Sequence, residues 1–204
     1  MRWSDAPKQA KESCMPKSHG FTLVELMVVL AIVAILASLA TPSFASLIQS
    51  TLMSSNVNTF LADMRFARSE SIRRGGGVVM CRSDAPEAAN PVCGSDAGPG
   101  ARGWVSGWII FHDLDNDGVK DPAEPLLRLQ SPIASINAIS DSNTLSSKFR
   151  FTATGRLRNL NTATTLHFGA QPMFAADVQR TVCVNPGGRA RIAGDGSADC
   201  GSGQ

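Results

Sequence analysis

An apolar segment near the N-terminus contains a single carboxylate. The segment extends from Phe21 to Ala40, and Glu25 is its only charged residue. Twenty residues form a helix of about 30 Å, which is long enough to span a bilayer. An isolated carboxylate inside a bilayer costs about 2.5–3.5 kcal/mol on insertion scales. We therefore expect a membrane helix in which Glu25 has a positively charged partner.

The residues before this segment form a short polar leader that ends at Gly20. The leader contains four of the 19 basic and two of the 17 acidic residues, so residues 21–204 carry no net charge. A secretory signal peptide has its apolar region before the cleavage site, whereas here the apolar region follows the glycine. Cleavage between Gly20 and Phe21 would keep the helix and create a new amino terminus, which is the natural partner for Glu25.

The junction Gly20-Phe21-Thr22-Leu23-Val24-Glu25 resembles the class III signal of type IV pilins and pseudopilins. The resemblance implies that a prepilin peptidase cuts after Gly20 and methylates the amine of Phe21. It also implies that Glu25 pairs with the terminal amine of a neighbouring subunit during assembly. Pairing makes a charge in a low dielectric much less costly. The alternative is a signal-anchor helix with an incidental glutamate.

The sequence predicts one long helix followed by a β-rich domain. After Pro42, apolar residues recur at intervals of three and four up to Ile72, and three glycines from Gly75 end the pattern. The leader would be residues 1–20, the membrane-spanning half of the helix 21–41, and the amphipathic half 42–74. We therefore expect an α+β, pilin-like fold in which this helix packs on an antiparallel sheet or sandwich.

The predicted globular domain, residues 75–204, contains short β-type segments separated by turn residues. The predicted strands are Val78–Cys81, Trp104–Phe111, Leu126–Gln130, Lys148–Thr152, Thr165–Phe168 and Arg180–Val184. These strands can form a modest antiparallel core against the amphipathic half of the helix.

Four of the five cysteines lie beyond the leader, at Cys81, Cys93, Cys183 and Cys200. An even number beyond a membrane anchor fits the oxidising periplasm, so we expect a single-pass inner-membrane protein with a periplasmic domain. Four cysteines allow three pairings, and the short loops favour Cys81–Cys93 and Cys183–Cys200. A zinc site is the alternative, although the spacings are wide and contain no CxxC pair.

Residues 113–124 fit the calcium-binding loop of an EF-hand, with Gly118 at the sharp turn. The carboxylates that would bind calcium are Asp113, Asp115, Asp117, Asp121 and Glu124. The flanks differ from a helix–loop–helix, because a predicted strand ends at Phe111 and both Pro122 and Pro125 break an exit helix. The loop is therefore either a calcium site or an acidic β-hairpin loop.

The segment Gly188-Arg189-Ala190-Arg191 resembles the GRxR motif of FimT-type minor pilins that bind DNA. Alternating arginines on an extended segment point to one face and can reach successive phosphates. Binding of double-stranded DNA would then be salt-sensitive and independent of sequence. A charged strand edge that prevents aggregation is the alternative. The residues that could widen the basic patch are Lys148, Arg150, Arg156, Arg158 and Arg180.

These features indicate a structural subunit and not an enzyme, since the sequence contains no GxSxG, HExxH or Walker motif. The expected function is that of a FimT/FimU-like minor pilin of a type IV pilus, with DNA uptake as a further role. The alternative is a GspH-like minor pseudopilin of a type II secretion system. A third hypothesis is an anchored periplasmic module that binds calcium. The expected partners are other pilins or pseudopilins, the prepilin peptidase, the inner membrane and double-stranded DNA.

Overall fold

The computed structural model describes residues 20–201, except residues 96, 142–146 and 159 and the side chains of residues 39–43. The predicted leader lies outside the described residues apart from Gly20. The chain divides into two compact units, Met1–Ser43 and Phe44–Gln204. The long helix, α1, extends from Leu23 to Arg74, close to the predicted bounds.

The start of α1 is capped by Thr22. The hydroxyl of Thr22 accepts a hydrogen bond from the backbone N–H of Glu25 at 3.2 Å, and Glu25 lies in the first turn. A carboxylate there interacts favourably with the positive end of the helix dipole. The apolar side chains of the first turns are exposed, with Leu23 at 73%. Across the described residues, no helix contains an apolar stretch long enough to cross a membrane.

The end of α1 coincides with the predicted glycines. Gly75 has φ +79°, and the N–H of Gly76 donates to the carbonyl of Ser71 at 2.7 Å. Glycine adopts this left-handed conformation without steric cost, so the chain can leave the helix directly after Arg74.

Two four-stranded antiparallel sheets form the rest of the described globular domain. The first sheet has the order β3-β2-β1-β5 and the second has the order β4-β6-β7-β8. The strands are β1 (Val78–Arg82), β2 (Trp108–His112), β3 (Leu126–Gln130), β4 (Ile139–Asp141), β5 (Lys148–Phe151), β6 (Thr164–Phe168), β7 (Arg180–Val184) and β8 (Ala190–Gly194).

The amphipathic part of α1 supplies the centre of the core. Phe60 makes edge-to-face contacts with Trp104 and Trp108 at ring-centroid distances of 5.5 and 5.4 Å. On the second sheet it contacts Phe168 at 5.6 Å. Such aromatic pairs stabilise by about 0.5–1.5 kcal/mol beyond their buried area. One helical side chain therefore joins both sheets into a single core.

Strand β1 is buried on both faces. Val78 and Met80 belong to the core beneath α1, whereas Val79 and Cys81 pack on the opposite face with Ile109 and Phe111 of β2. Adjacent residues of a strand point to opposite faces, so a strand buried on both sides is apolar throughout. This explains why the first predicted strand has no polar alternation.

The predicted single strand Trp104–Phe111 is wrong in its first half. Residues Trp104–Ser106 form a 3₁₀ turn, and β2 begins only at Trp108. Gly107 has φ +102°, and a Cβ there would lie 2.4 Å from the carbonyl oxygen of Gln130. The apolar run therefore contains a backbone turn that only glycine allows. The predicted strands also omit β4, which has three residues, and β8, which has five.

Candidate functional site

The acidic loop connects β2 and β3 as a β-hairpin. Asp113 follows β2 directly and is only 2% exposed, whereas Asp115 and Asp117 are exposed. One carboxylate oxygen from each of the three lies within 4.8 Å of the others. The structure thus brings together three of the five predicted calcium ligands.

Short-range hydrogen bonds fold the loop around these carboxylates. Asp113 Oδ2 accepts from the N–H of Gly118 at 2.9 Å, and Asp117 Oδ1 accepts from the N–H of Val119 at 2.6 Å. Gly118 has φ +82°, as the sharp turn requires. Asp side chains commonly bond to backbone N–H groups a few residues ahead, so the aspartate spacing itself favours the turn.

The other two predicted ligands have a different role. Glu124 Oε1 accepts from the N–H of Leu114 at 2.6 Å, and its Oε2 accepts from the N–H of Asp121 at 3.0 Å. Both carboxylate oxygens of this buried residue therefore close the base of the loop. Asp121 is exposed and lies outside the three-aspartate group. The structure therefore groups three of the five predicted ligands, while both oxygens of Glu124 accept hydrogen bonds from backbone amides.

Two cationic side chains of β5 lie over the acidic loop. Lys148 Nζ donates to the carbonyl of Gly118 at 2.9 Å, and Arg150 donates to the carbonyl of Asn116. Arg150 Nη2 also lies 3.6 Å from Asp113 Oδ2. Their predicted contribution to the C-terminal basic patch is therefore wrong. Antiparallel pairing of β5 with β1, the neighbour of β2, carries both side chains to this hairpin.

The surroundings of Asp113 raise the pKa of its carboxyl. Burial is the largest cause and the nearby Glu124 adds to it, while the N–H groups of Gly118 and Asn116 and the charge of Arg150 oppose the shift. Asp113 Oδ1 is buried and has no hydrogen-bond partner. Buried polar atoms in proteins are almost always hydrogen-bonded, so this oxygen is available to a donor or a cation.

A second group of candidate residues follows β7 at the Asn185–Gly188 turn. The N–H of Gly188 donates to the carbonyl of Asn185 at 2.9 Å, and the side chain of Asn185 accepts from the N–H of Arg189 at 3.1 Å. Gly188 has φ +72°, and a Cβ there would lie 2.1 Å from the Gly155 carbonyl oxygen. Gly188 is thus a packing residue. The role of Asn185 was not among the predictions, although the turn sequence Asn-Pro-Gly-Gly could have indicated it.

Arg189 and Arg191 are both exposed and flank Ala190 at the start of β8, an edge strand of the second sheet. A second turn, which contains Leu157, lies against this one. The N–H of Leu157 donates to the carbonyl of Pro186 at 2.9 Å. Arg156 and Arg158 flank Leu157 and are exposed. The structure therefore gathers four arginines on two neighbouring turns, which we call the arginine patch.

Arg180 does not extend the arginine patch as predicted. Its Nη1 donates to the carbonyls of Asp177, Val178 and Gln179 at 2.7, 3.1 and 2.8 Å. These bonds hold the guanidinium over its own preceding turn. Arg180 thus stabilises its own preceding turn. The arginine patch consists of Arg156, Arg158, Arg189 and Arg191.

The four cysteines of the globular domain form two disulfides. The structure pairs Cys81 with Cys93 and Cys183 with Cys200, each with a Cα–Cα distance of 5.5 Å. The first disulfide fixes the long loop after β1 to the outer face of the first sheet, where Cys93 packs on its small apolar cluster. The second fixes the C-terminal segment to β7. No thiolate among these four remains for zinc.

A long N-terminal helix packed on two antiparallel sheets defines a pilin-like protein, an α+β fold. The chain belongs to the family described as type II transport protein GspH, whose profile matches residues 56–188. The prokaryotic N-terminal methylation motif matches residues 15–41. Pilins and pseudopilins of this kind assemble with other such subunits.

The chain is also similar to a solved minor pilin. The crystal structure of the type IV minor pilin FimU of Pseudomonas aeruginosa (strain PAO1) superposes with a TM-score of 0.47 and 19% identity. The match covers 68% of this chain and 90% of that chain. No curated protein matches the sequence significantly.

Proposed function

We propose that this chain is a minor pilin of a type IV pilus whose arginine patch binds double-stranded DNA. The observation that supports DNA binding is the exposure of Arg189 and Arg191 at alternating positions, beside Arg156 and Arg158. Residues two apart on a strand are separated by about 6.6 Å, so the two guanidinium groups can contact different phosphates of one backbone.

The proposed contacts are electrostatic and directed to phosphates. A guanidinium group binds two phosphate oxygens at once, which explains why arginine suits this role better than lysine. The turn that presents Arg189 is held by Asn185 and Gly188, so the arginines are displayed by a fixed backbone. Affinity should therefore fall steeply with salt and depend little on base sequence.

DNA binding is tested by gel shift of the full-length chain in detergent with a labelled DNA duplex. The test variant is Arg189→Ala with Arg191→Ala, and the charge-matched control is Arg65→Ala with Arg73→Ala on α1. We expect the test variant to bind at least tenfold more weakly with a smaller salt slope, and the control to bind as the parent does. Equal retardation of parent and test variant would exclude the arginine patch as the DNA site.

We further propose that the prepilin peptidase cleaves between Gly20 and Phe21, methylates Phe21, and leaves residues 21–41 as an inner-membrane anchor. The match of the methylation motif to residues 15–41 supports processing. Glu25 would then pair with the methylated amine of a neighbouring subunit, since an unpaired carboxylate in a bilayer is costly. Tandem mass spectrometry of the N-terminal peptide tests the cleavage site directly.

The role of Glu25 is tested by its incorporation into filaments. Glu25→Ala should leave insertion and cleavage intact and reduce the amount of this subunit in sheared filaments severalfold. Redundant minor subunits can hide a piliation defect, so the subunit itself must be quantified. Glu87→Gln, an exposed carboxylate in a globular loop, is the control and should assemble normally. Normal incorporation of Glu25→Ala would contradict the pairing.

A GspH-like pseudopilin of a type II secretion system is the second candidate, because the matching family carries that description. Deleting the gene and measuring piliation, DNA uptake and protein secretion distinguishes the two candidate functions. Loss of piliation or DNA uptake with intact protein secretion supports the pilus, whereas loss of secretion alone supports the pseudopilus.

A further inference from the structure

We propose that the hairpin loop between β2 and β3 binds a calcium ion through the carboxylates of Asp113, Asp115 and Asp117. The three oxygens already lie within 4.8 Å of one another, so a single cation can contact all of them. None of the three proposed ligands belongs to the arginine patch, although Arg158 of that patch and Asp113 line one pocket. The calcium proposal does not depend on DNA binding.

The buried oxygen Oδ1 of Asp113 provides the second, independent indication of a ligand. Asp113 is 2% exposed, and this oxygen has no hydrogen-bond partner. Its other oxygen, Oδ2, accepts from the Gly118 N–H and faces Arg150. A buried carboxylate oxygen without a donor is less stable than one that accepts a hydrogen bond, and the penalty is larger when the group is charged. A bound cation removes that cost.

Within the part of the chain that the structure describes, no side-chain cation donates a hydrogen bond to Oδ1. Arg150 Nη2 lies 3.6 Å from the other oxygen, Oδ2. Lys148 and Lys120 donate to the backbone carbonyls of Gly118 and Asp121. Three carboxylates this close repel one another strongly when all are ionised, because their interaction rises as the inverse of distance. A divalent ion between them converts that repulsion into attraction.

The ligand chemistry favours calcium over other cations. Carboxylate and carbonyl oxygens are hard ligands, which excludes metals that prefer sulfur or imidazole. Calcium tolerates irregular geometry, whereas magnesium demands a near-ideal octahedron. Glu124 is engaged by two backbone amides, so fewer protein ligands are available than in an EF-hand. We therefore expect a dissociation constant of about 10⁻⁴–10⁻³ M, the range of extracellular calcium modules.

The test uses the full-length chain in detergent, freed of metal with a chelator and then dialysed. Calcium chloride is titrated by isothermal calorimetry, and Tm is measured with and without about 5 mM calcium or magnesium chloride, roughly 5 to 50 times the expected Kd. We expect a saturable heat with calcium, a Tm rise of about 3 °C, and a smaller effect of magnesium. Absence of both a calcium heat and a Tm shift in folded protein would overturn the proposal.

Three variants distinguish a calcium site made by the three aspartates from one that uses all the ligand positions of an EF-hand. Asp115→Asn with Asp117→Asn should weaken calcium binding at least tenfold, and both residues are exposed, so the variant should still fold. Asp121→Asn should leave the affinity unchanged, although an EF-hand would lose a ligand there. Glu87→Gln is the control for loss of a distant negative charge. Unchanged affinity in the double variant, with normal circular dichroism, would also overturn the proposal.

Discussion

Asp63 on α1 accepts a hydrogen bond from the indole Nε1 of Trp108 on β2 at 2.8 Å. Its second oxygen accepts from Arg128 Nη1 at 2.6 Å, and the Arg128 guanidinium lies 4.1 Å from the ring centroid of Phe66. A buried carboxylate on the helix therefore satisfies one donor from each of two neighbouring strands. These contacts fix the position of α1 on the first sheet.

Replacing Asp63 should destabilise the globular domain strongly. Asp63→Ala leaves the buried Trp108 N–H without an acceptor and Arg128 without its counter-ion, so we expect a loss of about 3 kcal/mol in the free energy of unfolding. Asp177→Ala removes an exposed carboxylate and should cost little. Urea denaturation of both variants measures the difference, and equal midpoints would show that α1 is held by apolar packing alone.

Gly188→Ala should destabilise the domain, whereas Gly187→Ala should be tolerated. Only Gly188 has a positive φ, and its new Cβ would lie 2.1 Å from the Gly155 carbonyl oxygen. At Gly187 the nearest atom is a side-chain oxygen of Asn185 at 3.2 Å. We expect a loss of about 1–3 kcal/mol for Gly188→Ala. Thermal melting compares the two, and a tolerated Gly188→Ala would contradict the close approach of these two turns.

Both disulfides should contribute to stability by similar amounts. They close loops with sequence separations of 12 and 17, and the chain-entropy estimate is about 3 kcal/mol for each. Paired serine replacements at Cys81 and Cys93, or at Cys183 and Cys200, should each lower the free energy of unfolding accordingly. The parent protein measured under reducing conditions provides the control, since it should approach the stability of a variant that lacks both bonds.

The ion pairs of Glu70 predict a pH-dependent contribution to stability. Hydrogen bonds from Arg73 and then Arg74 lower the pKa of Glu70 from 4.5 to about 2. The native state therefore favours the ionised form, and the stabilisation is present above pH 4.5 and is lost as the pH falls towards 2.

Glu70→Gln tests this pH dependence. The difference in unfolding free energy between parent and variant should shrink between pH 5 and about 2. It should be small throughout, because the Arg73 side chain is 63% exposed and solvent screens the pair. A difference that grows on acidification would contradict the sign.

Arg150→Gln should increase the affinity of the acidic loop for calcium. Arg150 lies 3.6 Å from Asp113, so its positive charge opposes a cation bound to the same carboxylate. We expect a severalfold decrease in the calcium dissociation constant by calorimetry. Arg102→Gln, a change of equal charge on a different loop, is the control and should leave the affinity unaltered. A weaker or unchanged affinity in Arg150→Gln would show that Arg150 does not oppose the ion.

Local sequence patterns predict most individual elements of this protein. The helix bounds follow from apolar periodicity, the Thr22 cap and the glycines from Gly75, all of which act within a few residues. The strands from β1 to β7 follow from short apolar segments between turns, except β4. The pattern wrongly predicts one continuous strand through Gly107. The turn at Gly107 depends on its close approach to Gln130, which is distant in sequence.

Pairing between strands that are distant in sequence decides which residues surround each charged motif, and local patterns do not predict this. The Gly-Arg-Ala-Arg and aspartate motifs are visible in the sequence, yet which basic residues join each motif depends on the sheets. Pairing of β5 beside β1 brings Lys148 and Arg150 to the acidic loop, whereas the contact of Gly188 with Gly155 gathers Arg156 and Arg158 near Arg189.

The sequence by itself determines the pilin class, the N-terminal methylation motif and the presence of two charged motifs, because these depend on residues adjacent along the chain. The tertiary structure alone decides that Glu124 closes its loop, that Asp113 Oδ1 is buried without a partner, and that Asp63 joins Trp108 to Arg128. The physical reason is that burial and hydrogen bonding between distant segments are set by how the sheets and helix pack, which no local pattern specifies.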